Sequence, residues 1–175
     1  MNLAALIRTI PDHPRSGVMF RDITTLLKDA AGLRAAVDAL AARHRGAPID
    51  LVAGIESRGF IVAAPLAYAL GAGFVPLRKA GKLPAATVGH DYALEYGTDR
   101  IEMHVDAVQP GQRVLLADDL IATGGTAEAA VRLIEGAGGR IVGCCFIIAL
   151  PDLGGSARLA ALGHPMHALV SFAGD

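Results

Sequence analysis

The sequence predicts an α/β fold, a single domain built on a mostly parallel central sheet flanked by helices. Three observations carry that expectation. Apolar runs of strand length alternate with stretches of helical periodicity, the strand-like runs are continuously apolar rather than alternating, and the joins between them are short and marked by glycine. Strands buried on both faces have this pattern. The length, 175 residues, suits one domain with one sizeable core, and 53% hydrophobic against 19% charged residues excludes a disordered chain.

The elements follow in order. Leu33, Ala36, Val37, Leu40 and Ala41 recur at helical spacing, and Gly46 closes that segment. Residues 51–55 (LVAGI) read as a strand, 58–70 as a helix and 74–77 (FVPL) as the next strand. The uncharged run 60–77 only just reaches the length of a membrane span, about 18 residues. Pro65, Gly71, Gly73 and Pro76 interrupt it, so a buried helix followed by a buried strand is expected, with no membrane partner. Residues 91–97 alternate polar and apolar, turn at Gly97 and pair with 100–104 as a hairpin. A strand over 113–117, a helix carrying Ala127, Ala130, Val131 and Ile134, a long apolar strand over 141–150 and a last strand over 167–172 complete the pattern.

Charge and cysteine usage narrow the function classes. The net charge of −1 gives no support for nucleic-acid binding, which favours a clearly basic chain, yet leaves room for a local anion site. Cys144 and Cys145 are neighbours in an apolar run, so on a strand they point to opposite faces and make neither an unstrained disulfide nor a zinc site. They read as core thiols in a reducing, cytoplasmic compartment. The first residues are interrupted by Arg8 and Pro11 too early for a secretory signal.

Ligands of open α/β sheets bind beyond the carboxyl ends of the strands, which directs attention to residues 114–126 (VLLADDLIATGGT). An apolar strand ends in Asp118 and Asp119, a loop rich in glycine and threonine follows, and a helix begins. Gly124 and Gly125 free the backbone to turn successive N–H groups inward at a helix N-terminus, an anion nest to which Thr123 and Thr126 add hydroxyls. The loop lacks the lysine of a Walker phosphate loop and is no dinucleotide turn. The carboxylates would repel phosphate, but they suit the two hydroxyls of a ribose whose 5′-phosphate sits in the loop. This string closely resembles the signature of type I phosphoribosyltransferases. The resemblance implies that family's fold, with Asp118 and Asp119 on the ribose and Ala122, Thr123, Gly124, Gly125 and Thr126 on the 5′-phosphate of phosphoribosyl pyrophosphate (PRPP).

Four further segments resemble the adenine phosphoribosyltransferases of that family, in the family's order. Residues 54–60 (GIESRGF) look like the pyrophosphate loop; Arg58 offers a fork of donors for phosphate, and Ser57 also suits a helix N-cap. Residues 78–84 (RKAGKLP) follow a strand; Arg78, Lys79 and Lys82 suit a solvated face, and the resemblance implies that they help bind pyrophosphate, in part across a dimer interface. Residues 91–97 (DYALEYG) are similar to the mobile catalytic loop, which makes Glu95 the candidate acid/base residue. Residues 17–23 (GVMFRDI) are similar to the base-binding hood, where Phe20 would stack on the purine and the backbone around Val18 and Arg21 would read its edge; Met19 stands where a small aliphatic residue is usual.

The resemblance implies a hood over residues 1–30, a flexible lid over 78–104, and a homodimer. It implies a glycosyltransferase of purine salvage that joins adenine to PRPP through an oxocarbenium-like transition state, releasing AMP and pyrophosphate. Arg58, Lys79 and Lys82 would stabilise the leaving group with Mg²⁺, an ion that favours phosphate and hydroxyl oxygens and needs few protein ligands. A phosphoribosyltransferase for another base, or a PRPP-sensing regulator without catalysis, are the alternatives. The segment after Pro151 is less informative, and His164 and His167 there read as ordinary surface or core histidines.

Overall fold

The computed structural model describes residues 1–93 and 97–174. Near the N-terminus β1 (Arg8–Ile10) and β2 (Phe20–Asp22) form a small antiparallel ribbon. Helices α1 (Thr24–Lys28) and α2 (Ala30–His44) follow, α2 capped by the Asp29 carboxylate, which accepts from Gly32 N–H at 2.6 Å. The remaining elements are β3 (Leu51–Ile55), α3 (Arg58–Leu70), β4 (Gly73–Lys79), β5 (Thr87–Ala93), β6 (Thr98–His104), β7 (Arg113–Ile121), α4 (Gly125–Gly136), β8 (Arg140–Ala149), α5 (Gly155–Ala161) and β9 (Met166–Ser171).

Seven strands form one sheet in the order β5-β6-β4-β3-β7-β8-β9. The five from β4 to β9 run parallel, and the β5–β6 hairpin adds to the β4 edge antiparallel. Chain order reverses at β3, with β4 on one side and β7 on the other, so the carboxyl ends of β3 and β7 flank the switch point where doubly wound sheets bind ligands. Asp50 ties these two strands at their opposite ends: its carboxylate accepts from Arg113 N, Nε and Nη2 at 2.7, 2.9 and 2.6 Å.

Each sheet face has its own core. Leu116, Phe146, Met103, Leu77 and Ile134 pack on the side of α4, and Leu115, Ile147, Val52, Leu40 and Leu66 on the side of α2 and α3. The cysteines divide between the faces as expected, Cys144 with the first set and Cys145 with the second. Both are free, and burial pushes the Cys144 thiol up to about 12. The run 60–77 is α3, a left-handed Gly71 and β4; among the described residues no helix is long and apolar enough to cross a membrane.

Several expected boundaries shift, among them the first arm of the hairpin, which begins at Thr87 rather than at residue 91. The strand expected over 113–117 continues to Ile121, because Leu120 and Ile121 still pair with Ile148 and Ala149 of β8. Asp118 and Asp119 therefore lie within a strand rather than after its end. The strand expected over 74–77 likewise runs on through Arg78 and Lys79, which pair with Glu102 and Ile101 of β6.

Candidate active site

A cavity of about 510 Å³ opens at the carboxyl ends of β3 and β7. Asp118, Asp119 and residues 122–126 line it, together with Arg58 and Lys79. Gly124 has φ +79°, a left-handed conformation suited to glycine, and it stands at the N-cap of α4 with no capping side chain. The N–H groups of the first helical turn are thus left for a ligand, and the helix dipole favours an anion there.

The acidic pair is held in a tight setting. Asp118 Oδ1 accepts from Asp119 N–H at 2.8 Å, and Arg58 Nε lies 2.9 Å from Asp119 Oδ2. That ion pair lacks the alignment of a hydrogen bond, so Oδ2 is a buried acceptor without an aligned donor. Burial, then the neighbouring Asp119 charge, raise the Asp118 carboxyl well above the ordinary carboxylate range. Burial also raises Asp119, against the opposing pull of Arg58. Gly59 makes the close approach possible, since a Cβ there would stand 2.5 Å from Asp118 Oδ1. Ser57 occupies the N-cap of α3, but its side chain makes no capping bond.

The basic segment is distributed unequally. Glu56 clamps Arg78, accepting from Nε at 3.2 Å and Nη2 at 3.1 Å, and also takes Lys79 N–H at 3.0 Å. Arg78 Nη1 donates to the Lys82 carbonyl at 3.0 Å. Arg78 thereby shapes the turn, and neither it nor the exposed Lys82 lines the cavity. Lys79 does, with Nζ 3.2 Å from Asp99 Oδ2, an atom that also accepts from Tyr92 Oη at 3.1 Å. Glu56, Tyr92 and Asp99 were not singled out from the sequence; Glu56 and Tyr92 lie within quoted segments but no local pattern marks them or Asp99 as partners of the basic residues, and strand pairing brings them together.

A second cavity, about 470 Å³, adjoins the first and shares Arg58, Leu120, Ala122 and Thr123 with it. Val18, Met19, Phe20 and Arg21 form its other wall. Phe20 meets the His13 ring edge-on at 5.0 Å, and the Arg58 guanidinium lies 5.5 Å from its centroid. The Arg21 side chain is held elsewhere, donating to Thr9 Oγ1 at 2.6 Å and lying 4.3 Å from the Phe172 ring. Val18 N–H donates to the Arg15 carbonyl, and its own carbonyl accepts from His13 N–H, both at 3.2 Å. Glu95 lies outside the described residues.

A sheet-end cavity with strand-borne carboxylates, an open helix N-terminus and an adjoining aromatic-walled pocket can hold a phosphorylated sugar beside a flat ring. Residues 23–159 match the family described as phosphoribosyl transferase domain. An adenine phosphoribosyltransferase of Methylobacillus flagellatus is 64% identical over 172 residues, covering 98% of each chain. The crystal structure of adenine phosphoribosyltransferase from Rhodothermus marinus superposes with a TM-score of 0.92 at 54% identity, covering 97% of this chain and 96% of that one. The Saccharomyces cerevisiae enzyme, solved with an imino-altritol bisphosphate and adenine, superposes with a TM-score of 0.90 at 35% identity, covering 96% of each chain. The chain belongs to the adenine phosphoribosyltransferases, within the type I phosphoribosyltransferase family.

Proposed function

We propose that the chain transfers the 5-phosphoribosyl group of PRPP to adenine, giving AMP and pyrophosphate, as a cytoplasmic enzyme of purine salvage. The observation that carries the reading is the joined pair of cavities, one ending in the open N-terminus of α4 beside Asp118 and Asp119, the other walled by Phe20. The two unpaired thiols support a reducing compartment.

In this reading the amides of 123–126 and the hydroxyls of Thr123 and Thr126 hold the 5′-phosphate, and the ionised acidic pair accepts from the ribose diol. Phe20 takes the purine face. Arg58 stands where the cavities meet, so it and Lys79 are placed to receive the negative charge that grows on the departing pyrophosphate. Both would exchange a carboxylate partner for phosphate oxygens, Arg58 leaving Asp119 and Lys79 leaving Asp99. Glu95 is the acid/base residue at the purine.

Among the described residues no three His, Cys, Asp or Glu side chains cluster to cage a metal. The carboxylates of Asp118 and Asp119 at the cavity suit Mg²⁺ carried mainly by PRPP and water, since this ion commonly keeps its waters and uses substrate oxygens. Bound there, Mg²⁺ would neutralise charge on the diphosphate.

The active form is a homodimer. Ile61 and Tyr68 of α3 and the nearby Phe74 are large apolar side chains on the surface, Tyr68 with 90% of its area exposed, and a second copy would cover them.

The test is formation of AMP from adenine, PRPP and Mg²⁺, compared with hypoxanthine, guanine and orotate. Asp118→Asn with Asp119→Asn should lower kcat/KM for PRPP by at least about tenfold, as expected for lost bonds to charged acceptors, with the circular dichroism spectrum retained. Unchanged kinetics would remove the diol assignment, and turnover of another base in preference to adenine would overturn the substrate.

A further inference from the structure

The phosphate loop, Ala-Thr-Gly-Gly-Thr over 122–126, brings no cation of its own to a dianionic phosphate. Arg58 and Lys79, which line the cavity, are each engaged by a carboxylate. A further arginine stands on the far side of the loop. Arg158 of α5 places Nη1 3.6 Å from where a Cβ on Gly125 would stand, and it lines a cavity of about 640 Å³ together with Thr123, Gly125 and Thr126.

Its orientation is set by Glu128 in the first turn of α4. Arg158 Nη1 lies 3.3 Å from Glu128 Oε2, while Arg132 Nε takes Oε1 at 2.9 Å. Two arginines on one carboxylate leave the cluster one net positive charge beside the loop. Glu128 favours the helix dipole but opposes an anion at the same terminus. We infer that Arg158 is a positioning residue for the proposed reaction, supplying counter-charge to the 5′-phosphate from outside the loop while Glu128 orients it and limits that charge. The inference rests on the reading of residues 122–126 as the 5′-phosphate site.

Charge and mere support give opposite signs for Glu128. If the ion pair only braces the loop, Arg158→Ala and Glu128→Gln each break it and act alike. If charge matters, the first variant removes a positive charge and the second removes a negative one. In the double variant Arg132 leaves the cluster at its original charge.

The experiment is steady-state kinetics at low ionic strength for wild type, R158A, E128Q and R158A/E128Q. R158A should raise KM for PRPP about three- to tenfold, the range for a half-exposed charge near a dianion, with kcat within about twofold and KM for adenine unchanged. E128Q should lower KM for PRPP, the double variant should return toward wild type, and R158K should retain most of the affinity. Added salt should shrink all of these differences. An unaltered KM for PRPP in R158A, or a rise in both single variants, overturns the inference. If R158A fails to fold, the direction of the E128Q change decides. Wild type that forms no AMP removes the proposed function itself, whereas active wild type with indifferent variants removes this inference alone.

Discussion

In the proposed reading Asp118 carries two opposed demands in one side chain. Binding a sugar diol calls for an ionised acceptor, and burial against Gly59 and Asp119 disfavours that ionisation. Its folded-state pKa lies above the ordinary value of 3.8, so its contribution to stability is fully present below that value and is lost as pH rises through the folded pKa. At neutral pH the carboxylate therefore destabilises the fold. Asp118→Asn should raise the melting temperature at pH 7 by a few degrees while impairing PRPP use, and the gain should vanish as the pH is lowered below about 4. A melting temperature lower than wild type at pH 7 would show that the carboxylate supports the fold instead. Asp119 is not equivalent, because its neutralisation strands the Arg58 guanidinium.

At the scale of elements, the site depends on how β7 is held at both ends. At its start Asp50 grips Arg113, which lowers the Asp50 carboxyl to about 2. A depressed carboxylate stabilises above its unfolded pKa near 3.8, and the contribution is lost as pH falls through about 2. Asp50→Asn should thus lower the melting temperature at pH 7, with the deficit closing between about pH 4 and pH 2 in a thermal series. At the other end α5 supports the loop after β7. Gly155 N–H donates to the Ala122 carbonyl at 2.9 Å, and a Cβ on Gly155 would collide with that carbonyl oxygen and stand 2.9 Å from Gly124 N. Gly155→Ala should cost about 1–3 kcal/mol by overpacking. It should also raise KM for PRPP more than KM for adenine, because it displaces the phosphate loop; an equal rise in both would argue against that.

The elements from α2 to β9 were largely legible from the chain because most carry a local signal, whereas β1, β2, α1 and α5 were not anticipated. The uncharged run that breaks at Gly71 gives α3 at its observed bounds, and the apolar run 141–150 gives β8 within a residue. The end of β7 was not legible, since acids inside a parallel strand contradict its apolar pattern and only pairing with β8 keeps them there. The candidate site was legible where chemistry is contiguous, as in 118–126. It was hidden where the sheet brings together distant residues: Glu56 on Arg78, Tyr92 and Asp99 on Lys79, Arg158 against Gly125. Arg78 shows the converse, a cation expected at the ligand whose guanidinium is engaged by Glu56.

Over the whole molecule, one sheet edge is extended by the hairpin and one helix keeps an apolar face outward. Ile61→Glu and Tyr68→Glu would each place a charge in the contact proposed between copies, where burial of an unpaired carboxylate is unfavourable. Sedimentation velocity should show these variants shifted from dimer toward monomer, with the far-ultraviolet spectrum unchanged. A wild-type protein sedimenting as a monomer at micromolar concentration would refute the contact.

The wall shared by the two cavities, Arg58, Leu120, Ala122 and Thr123, has a consequence for ligand design. A single molecule bearing a flat ring and a phosphate on a sugar-length spacer reaches both chambers together. Once one end is seated, the other arrives at an effective concentration set by the spacer instead of by diffusion from bulk. Such tethered compounds should outperform either fragment by far more than the sum of their separate contacts, provided the linker is short and stiff enough to match the span.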